Sequence, residues 1–158
     1  GSIYPTEKAV LVELAEGVRG IAGEVFSSKI QNTLDGLDLS GVSGGIREEE
    51  SRFSNNTKTD FTNNIISIQN VYLGTYGSTG NGKGLSAIVA AENAALDTKI
   101  KTQITEAIAA IQAIGGNANV TFSTALSADR ASIEAAQLKV ETLETTLRTE
   151  LLTLISNL

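Results

Sequence analysis

The sequence predicts an all-α protein, an antiparallel up-down bundle of about four helices, three of them long. Three observations predict it. Apolar residues make up 41% of the chain but aromatics only 4%, a composition suited to helices packed on aliphatic seams. The one proline, Pro5, lies near the N-terminus, so no internal proline interrupts the later segments. Apolar side chains recur at spacings of three and four over long stretches, as one helical face requires.

The first periodic segment starts at Pro5-Thr6-Glu7 and runs to about Leu34, with Val10, Leu11, Leu14, Val18, Ile21, Val25 and Ile30 on its inner face. Proline at the first helical position and an acidic residue in the first turn are start signals. Gly17, Gly20 and Gly23 recur at every third position. Each costs a helix about 1 kcal/mol against alanine, so they are either tolerated in a packed helix or admit a closely approaching neighbour.

Residues 35–45 (DGLDLSGVSGG) read as a loop tucked onto the core by Leu37, Leu39 and Val42. Ile46 to Ser54 is a short charged segment of one or two turns. Asn55-Asn56-Thr57 then leads into a second helix over about Thr59–Tyr76, with Phe61, Ile65, Ile68 and Tyr72 inside. Residues 77–84 (GSTGNGKG) form a glycine connection. Gly77, Gly82 and Lys83 match the G-x-x-x-x-G-K of a phosphate-binding loop, but Gly84 stands where Ser or Thr should bind magnesium, and a helix rather than a strand precedes it. The third helix is expected over about Leu85–Ile114, with Ile88, Val89, Leu96, Ile100, Ile104, Ile108 and Ile111 inside, and stops at Gly115-Gly116-Asn117. The last runs from about Phe122 to Asn157 on a seam of Ile133, Ala136, Val140, Leu143, Leu147, Leu151, Leu154 and Leu158.

Composition also excludes chemistry. There is no cysteine and no histidine, which removes thiolate metal sites, nucleophilic triads and HExxH zinc sites within this chain. The net charge of −6 with scattered Lys and Arg argues against a nucleic-acid partner. No apolar run approaches the roughly 20 residues that span a bilayer. Residues 1–158 are read as one domain, with Gly1-Ser2 as a tag remnant.

Two clusters stand out. Glu48-Glu49-Glu50 is the one dense carboxylate run; with Arg47 and Arg52 beside it and no calcium-loop pattern, it reads as a solvated face rather than a cation site. Ser51, Ser54, Asn55, Asn56, Thr57, Asp60, Asn63, Asn64, Gln69 and Asn70 gather polar side chains around the second helix. Asn competes for backbone hydrogen bonds and suits ordinary helix surfaces poorly. The cluster is therefore either an amide-lined face for another domain or ligand, or capping plus a polar exterior. Tyr4, Tyr72 and Tyr76 read as packing residues with a wet tip.

The stretch Glu50-Ser51-Arg52-Phe53-Ser54, then Asn56-Thr57, Asp60-Phe61, Asn64-Ile65 and Ile68-Gln69-Asn70-Val71-Tyr72-Leu73-Gly74 resembles the imelysin-like family. In that family an E-S-x-F-S element is followed by D-F-x-x-N and an I-x-N-x-Y-x-G-like ending. The resemblance implies an exported bacterial protein, at the periplasm or cell surface and often a lipoprotein, linked to iron uptake and built from two helical halves. It implies a G-x-H-x-x-E motif, proposed as a metal or peptidase site, on the half preceding this one. Without histidine this chain matches the C-terminal half. No catalytic residue, metal ligand or cofactor carries over, and any iron or zinc belongs to a full-length protein. Glu50, Ser51, Phe53, Ser54, Asn56, Asp60, Asn64, Asn70, Tyr72 and Gly74 carry over as motif positions, expected to face a partner, the preceding half of the same protein or a separate chain, with a possible lipid anchor upstream. The reading is a non-catalytic bundle half offering a polar interface or part of a ligand cleft. The alternatives are a metal-dependent peptidase completed by the other half, and a self-associating surface or filament protein, whose composition flagellin-like chains share.

Overall fold

The computed structural model describes residues 3–76 and 80–158; the middle of the glycine connection, 77–79, lies outside them. Its elements are α1 (Glu7–Glu24), a π-helical turn (Val25–Ile30), α2 (Gln31–Glu48), α3 (Thr57–Leu73), a hairpin of β1 (Thr75–Tyr76) and β2 (Gly80–Asn81), α4 (Leu85–Glu92), α5 (Ala94–Gln112), α6 (Phe122–Ala128), α7 (Arg130–Thr146), a second π-helical turn (Leu147–Leu151) and α8 (Leu152–Ser156). The class is all-α. α1 and α5 each pack against both α3 and α7, so the four form a ring around one aliphatic core. The ion pairs Lys99–Glu150 and Lys139–Glu106 set α5 and α7 in opposite directions. Phe61 of α3 and Phe122 of α6 meet edge to face at 5.6 Å in the core.

Several elements differ from expectation, each for a local reason. α1 begins after Pro5, with the Thr6 hydroxyl accepting from the Ala9 amide at 3.1 Å. Its deepest residues are Ala15, Val18, Ala22 and Val25; Val10 and Leu14 are exposed. The segment expected to be a loop at 35–45 is helical: α2 carries it, folding back at Ser40 and Gly41, where Gly41 takes φ +68°. Its glycines mark a helix crossing rather than a loop. A Cβ built on Gly36 would stand 2.8 Å from the Gly44 carbonyl oxygen, so the two limbs of the hairpin touch backbone to backbone. Leu39 therefore sits at the tip, 85% exposed, instead of tucked onto the core.

The two long helices expected downstream are each interrupted by a side-chain cap. Asn93 (φ −153°) breaks the third and accepts from the Leu96 amide at 3.0 Å; Asp129 (φ −151°) breaks the fourth and accepts from the Ser132 amide at 3.3 Å. The final seam is buried through Leu151. The π-helical turn then inserts a residue and advances the phase, so Ile155 continues the seam while Leu154 is half-buried and Leu158 exposed.

Candidate functional site

The motif residues fall at the two ends of α3. At its N-terminal end the chain leaves α2 through residues 50–55 in turns, with Asn55 at φ +55°. Glu49 is only 4% exposed and its carboxylate accepts hydrogen bonds from Thr57, at 2.7 Å, and from Ser123 of α6. The Ser51 amide donates to the Thr57 hydroxyl at 3.2 Å, and the Ser51 hydroxyl donates to Asp60 at 2.5 Å. Asn56 donates to the other Asp60 oxygen at 2.7 Å. Ser54 donates to the Ser51 carbonyl at 3.3 Å, and Glu50 pairs with Lys29 at 2.9 Å. These residues tie the α2–α3 connection to α6. The acidic run thus divides: Glu48 and Glu50 are exposed, while Glu49 is a buried strut.

Close by, Lys58 reaches the end of α5 and donates to the carbonyls of Ile114, Asn117 and Val120 at 2.7, 2.9 and 3.1 Å. It satisfies acceptors that a helix C-terminus leaves open. Burial lowers this ammonium from its usual range.

At the other end, Tyr72 is fully buried and donates to Asp97 at 3.1 Å. Ser86 of α4 donates to the same Asp97 oxygen at 2.7 Å, and Lys101 to the other at 2.7 Å. Burial alone would raise the Asp97 carboxyl, but the hydrogen bonds from Lys101, Ser86 and Tyr72 and the lysine's charge outweigh it and hold it below the carboxylate range. Burial first, then the charge and hydrogen bond of Asp97, push the Tyr72 phenol up. A carboxylate saturated by three donors is a poor general base; the cluster locks α3, α4 and α5 together. Gly74 ends α3 at φ +73°, and the Gly82 amide donates to its carbonyl at 2.8 Å. A Cβ there would stand 2.6 Å from the Gly82 oxygen. Lys83 and Gly84 thus belong to a segment that packs on a helix C-cap.

Between the two ends α3 carries amides of a different character, spread around the helix rather than on one face, with Gln69 about 140° around from Asn64. The side-chain amides of Asn63, Asn64 and Gln69 make no hydrogen bond to other described residues, and Asn70 accepts only a long one from Thr75, 3.4 Å. Gln69 and Leu73 open onto a cleft of about 330 Å³ completed by Lys101, Ile104 and Thr105. Phe53 is 89% exposed, with the Arg52 guanidinium 4.6 Å from its ring centre.

The predicted residues therefore separate. Glu50, Ser51, Ser54, Asn56, Asp60, Tyr72 and Gly74 are engaged inside the chain, whereas Phe53, Asn64 and Asn70 keep surface to offer. Sequence reading placed Glu49 on a solvated face, where it is buried, and missed Lys58, Ser86, Asp97, Lys101 and Ser123. Asp97 carried a signal, a carboxylate between Leu96 and Ile100 in an apolar stripe with Lys101 four residues on; Ser123 carried none. Among the described residues no group of three His, Cys, Asp or Glu could hold a metal ion, and no helix is long and apolar enough to cross a membrane. The residues present do not fit the metal site that the resemblance places in a full-length protein.

No curated protein matches the chain. Among solved structures, an imelysin peptidase from Bacteroides ovatus superposes with a TM-score of 0.88 at 31% identity, covering 99% of this chain and 43% of that one. A structure described as an iron-regulated protein A precursor from Parabacteroides distasonis superposes with a TM-score of 0.78 at 26% identity, covering 95% of this chain and 41% of the other. The chain thus spans less than half the length of these relatives. The sequence profile of the imelysin family, peptidase M75, matches residues 3–149, and the chain belongs to that family.

Proposed function

We propose that this chain is a non-catalytic helical half of an exported imelysin-type protein linked to iron uptake, and that its work is to dock through polar side chains on α3. The observation that carries this is the set of α3 amides that have no hydrogen-bond partner among the described residues. Asn63, Asn64 and Gln69 sit in or beside the family motif, yet nothing among the described residues satisfies them. A protein surface with matching donors and acceptors would, and pairing polar groups in a desolvated interface gives specificity of register. The iron connection and the export are supported by the naming of the Parabacteroides relative as an iron-regulated precursor. Residues 1–158 would be titrated with the remaining part of the polypeptide, made as a separate chain. Asn64→Leu with Asn70→Leu should weaken that docking while helicity by circular dichroism stays unchanged; equal affinity would overturn the reading.

The name of the Bacteroides relative favours a second reading, a peptidase assembled from both halves. The present half would then position residues and the missing one supply the metal ligands. It predicts no hydrolysis by residues 1–158 and chelator-sensitive hydrolysis by the whole protein. Chelator-resistant hydrolysis by this chain alone would refute it.

A further inference from the structure

Gly17 and Gly20 lie in the interior of α1, where each costs about 1 kcal/mol of helix propensity against alanine. Inside the bundle nothing uses the space they leave: a Cβ on either would find no heavy atom within 4 Å, and both are exposed. Gly36 and Gly44, by contrast, are filled against each other. On the same side as Gly17, at spacings of three and then four, stand Leu14 and Val10, 41% and 36% exposed, and Ile21 follows four residues on, half-buried. Val10, Leu14, Gly17 and Ile21 thus form an apolar stripe running along α1, on a helix that packs beside the motif-bearing α3. The margin of the stripe is acidic. Glu13 makes no ion pair among the described residues, and Glu24 has only a 3.6 Å contact to Lys29.

We propose that this stripe seats one helix from the part of an imelysin-type polypeptide outside residues 1–158. It would pack backbone-close at Gly17 and Gly20, with apolar side chains over Val10 and Leu14 and basic residues along the Glu13 margin. Three features select this occupant. The matched relatives have more than half their length outside the matched region, this chain covering 43% and 41% of them. Small residues shorten the distance between helix axes, so two bare glycines fit a helix better than a loop or a small molecule. A second copy of this chain would set one acidic margin against another, which opposes pairing. The inference rests on the docking reading above and adds the second wall of that interface.

The test uses Gly17→Leu, because one substitution separates docking from folding. Leucine is a strong helix former and its Cβ would meet no heavy atom within 4 Å at this site, so the melting temperature of residues 1–158 should rise. Affinity for the remaining part of the polypeptide, read by calorimetry, should fall about tenfold or more as the side chain holds the helices apart. Val10→Ser with Leu14→Ser should weaken docking as well. Unchanged affinity in both variants, with Asn64→Leu and Asn70→Leu still disruptive, would overturn the α1 seat and leave the α3 interface standing. No docking by the wild-type chain would sink both. Self-association of residues 1–158 that Gly17→Leu abolishes would replace the proposed occupant with a second copy.

Discussion

Gly36 and Gly44 meet backbone to backbone where α2 folds back at Ser40 and Gly41, and neither position has room for a side chain. Eight residues apart in sequence, they convert what composition reads as a loop into a helical hairpin that carries Leu39 at its tip. Gly17, upstream in α1, is also a glycine but has the opposite surroundings. Gly44→Ala should therefore destabilise the chain by about 1–3 kcal/mol through overpacking, while Gly17→Ala should stabilise it by about 1 kcal/mol through helix propensity. Thermal melts of the two variants check this directly. Shifts of the same sign would mean that the crossing at Gly36 is looser than its geometry.

Lys58 bridges the start of α3 and the end of α5 through three carbonyls that no other side chain among the described residues reaches. Lys58→Met keeps the aliphatic stem and removes the ammonium. The loss should cost about 1–3 kcal/mol, because the Ile114 and Val120 carbonyls are left without a donor, and amide exchange should accelerate locally across 115–120. Exchange that rises evenly through the bundle would show a global effect instead of a lost cap.

Much of the architecture is readable in the spacing of aliphatic residues, because that pattern is itself the physical cause of helix burial. Ile100, Ile104 and Ile111 of α5 and Ile133 to Leu151 of the last seam are buried as that pattern demands. The breaks are harder to read. Asn93 and Asp129 sit within continuous periodicity, and only their side-chain bonds to Leu96 and Ser132 reveal them as caps. Of the site, the motif marked the right helix but not the division of labour along it. Asp60 stands four residues from both Asn56 and Asn64, and spacing alone does not show that it pairs with Asn56 and leaves Asn64 open. The burial of Glu49 within the acidic run was unreadable for a related reason, since its partner Ser123 lies 74 residues away.

Asp97 draws its low pKa from donors on three helices, which fixes the sign of its contribution to acid stability. Its folded value is depressed below an unfolded value of about 3.9. Its stabilisation is therefore complete above that pH and lost as pH falls through the folded value. Asp97→Asn keeps an acceptor for Ser86 and Tyr72 but discards the charge facing Lys101. It should lower the melting temperature at neutral pH and flatten its decline as pH falls below about 4. Parallel acid profiles for variant and wild type would assign the acid sensitivity elsewhere.

Phe53 is a motif residue with almost no contact to the fold, 89% exposed on a turn and stacked only by Arg52. Phe61 and Phe122, in contrast, are buried in the core. If Phe53 served the stability of this chain it would have to be covered, and it is not. Its conservative removal should consequently be silent in folding: Phe53→Ser should change unfolding free energy by no more than about 0.5 kcal/mol. The same variant should weaken docking to the remaining part of the polypeptide, because exposed aromatic side chains are the usual anchors of an interface. A melt that drops sharply with docking unchanged would reverse the assignment and make Phe53 a structural residue.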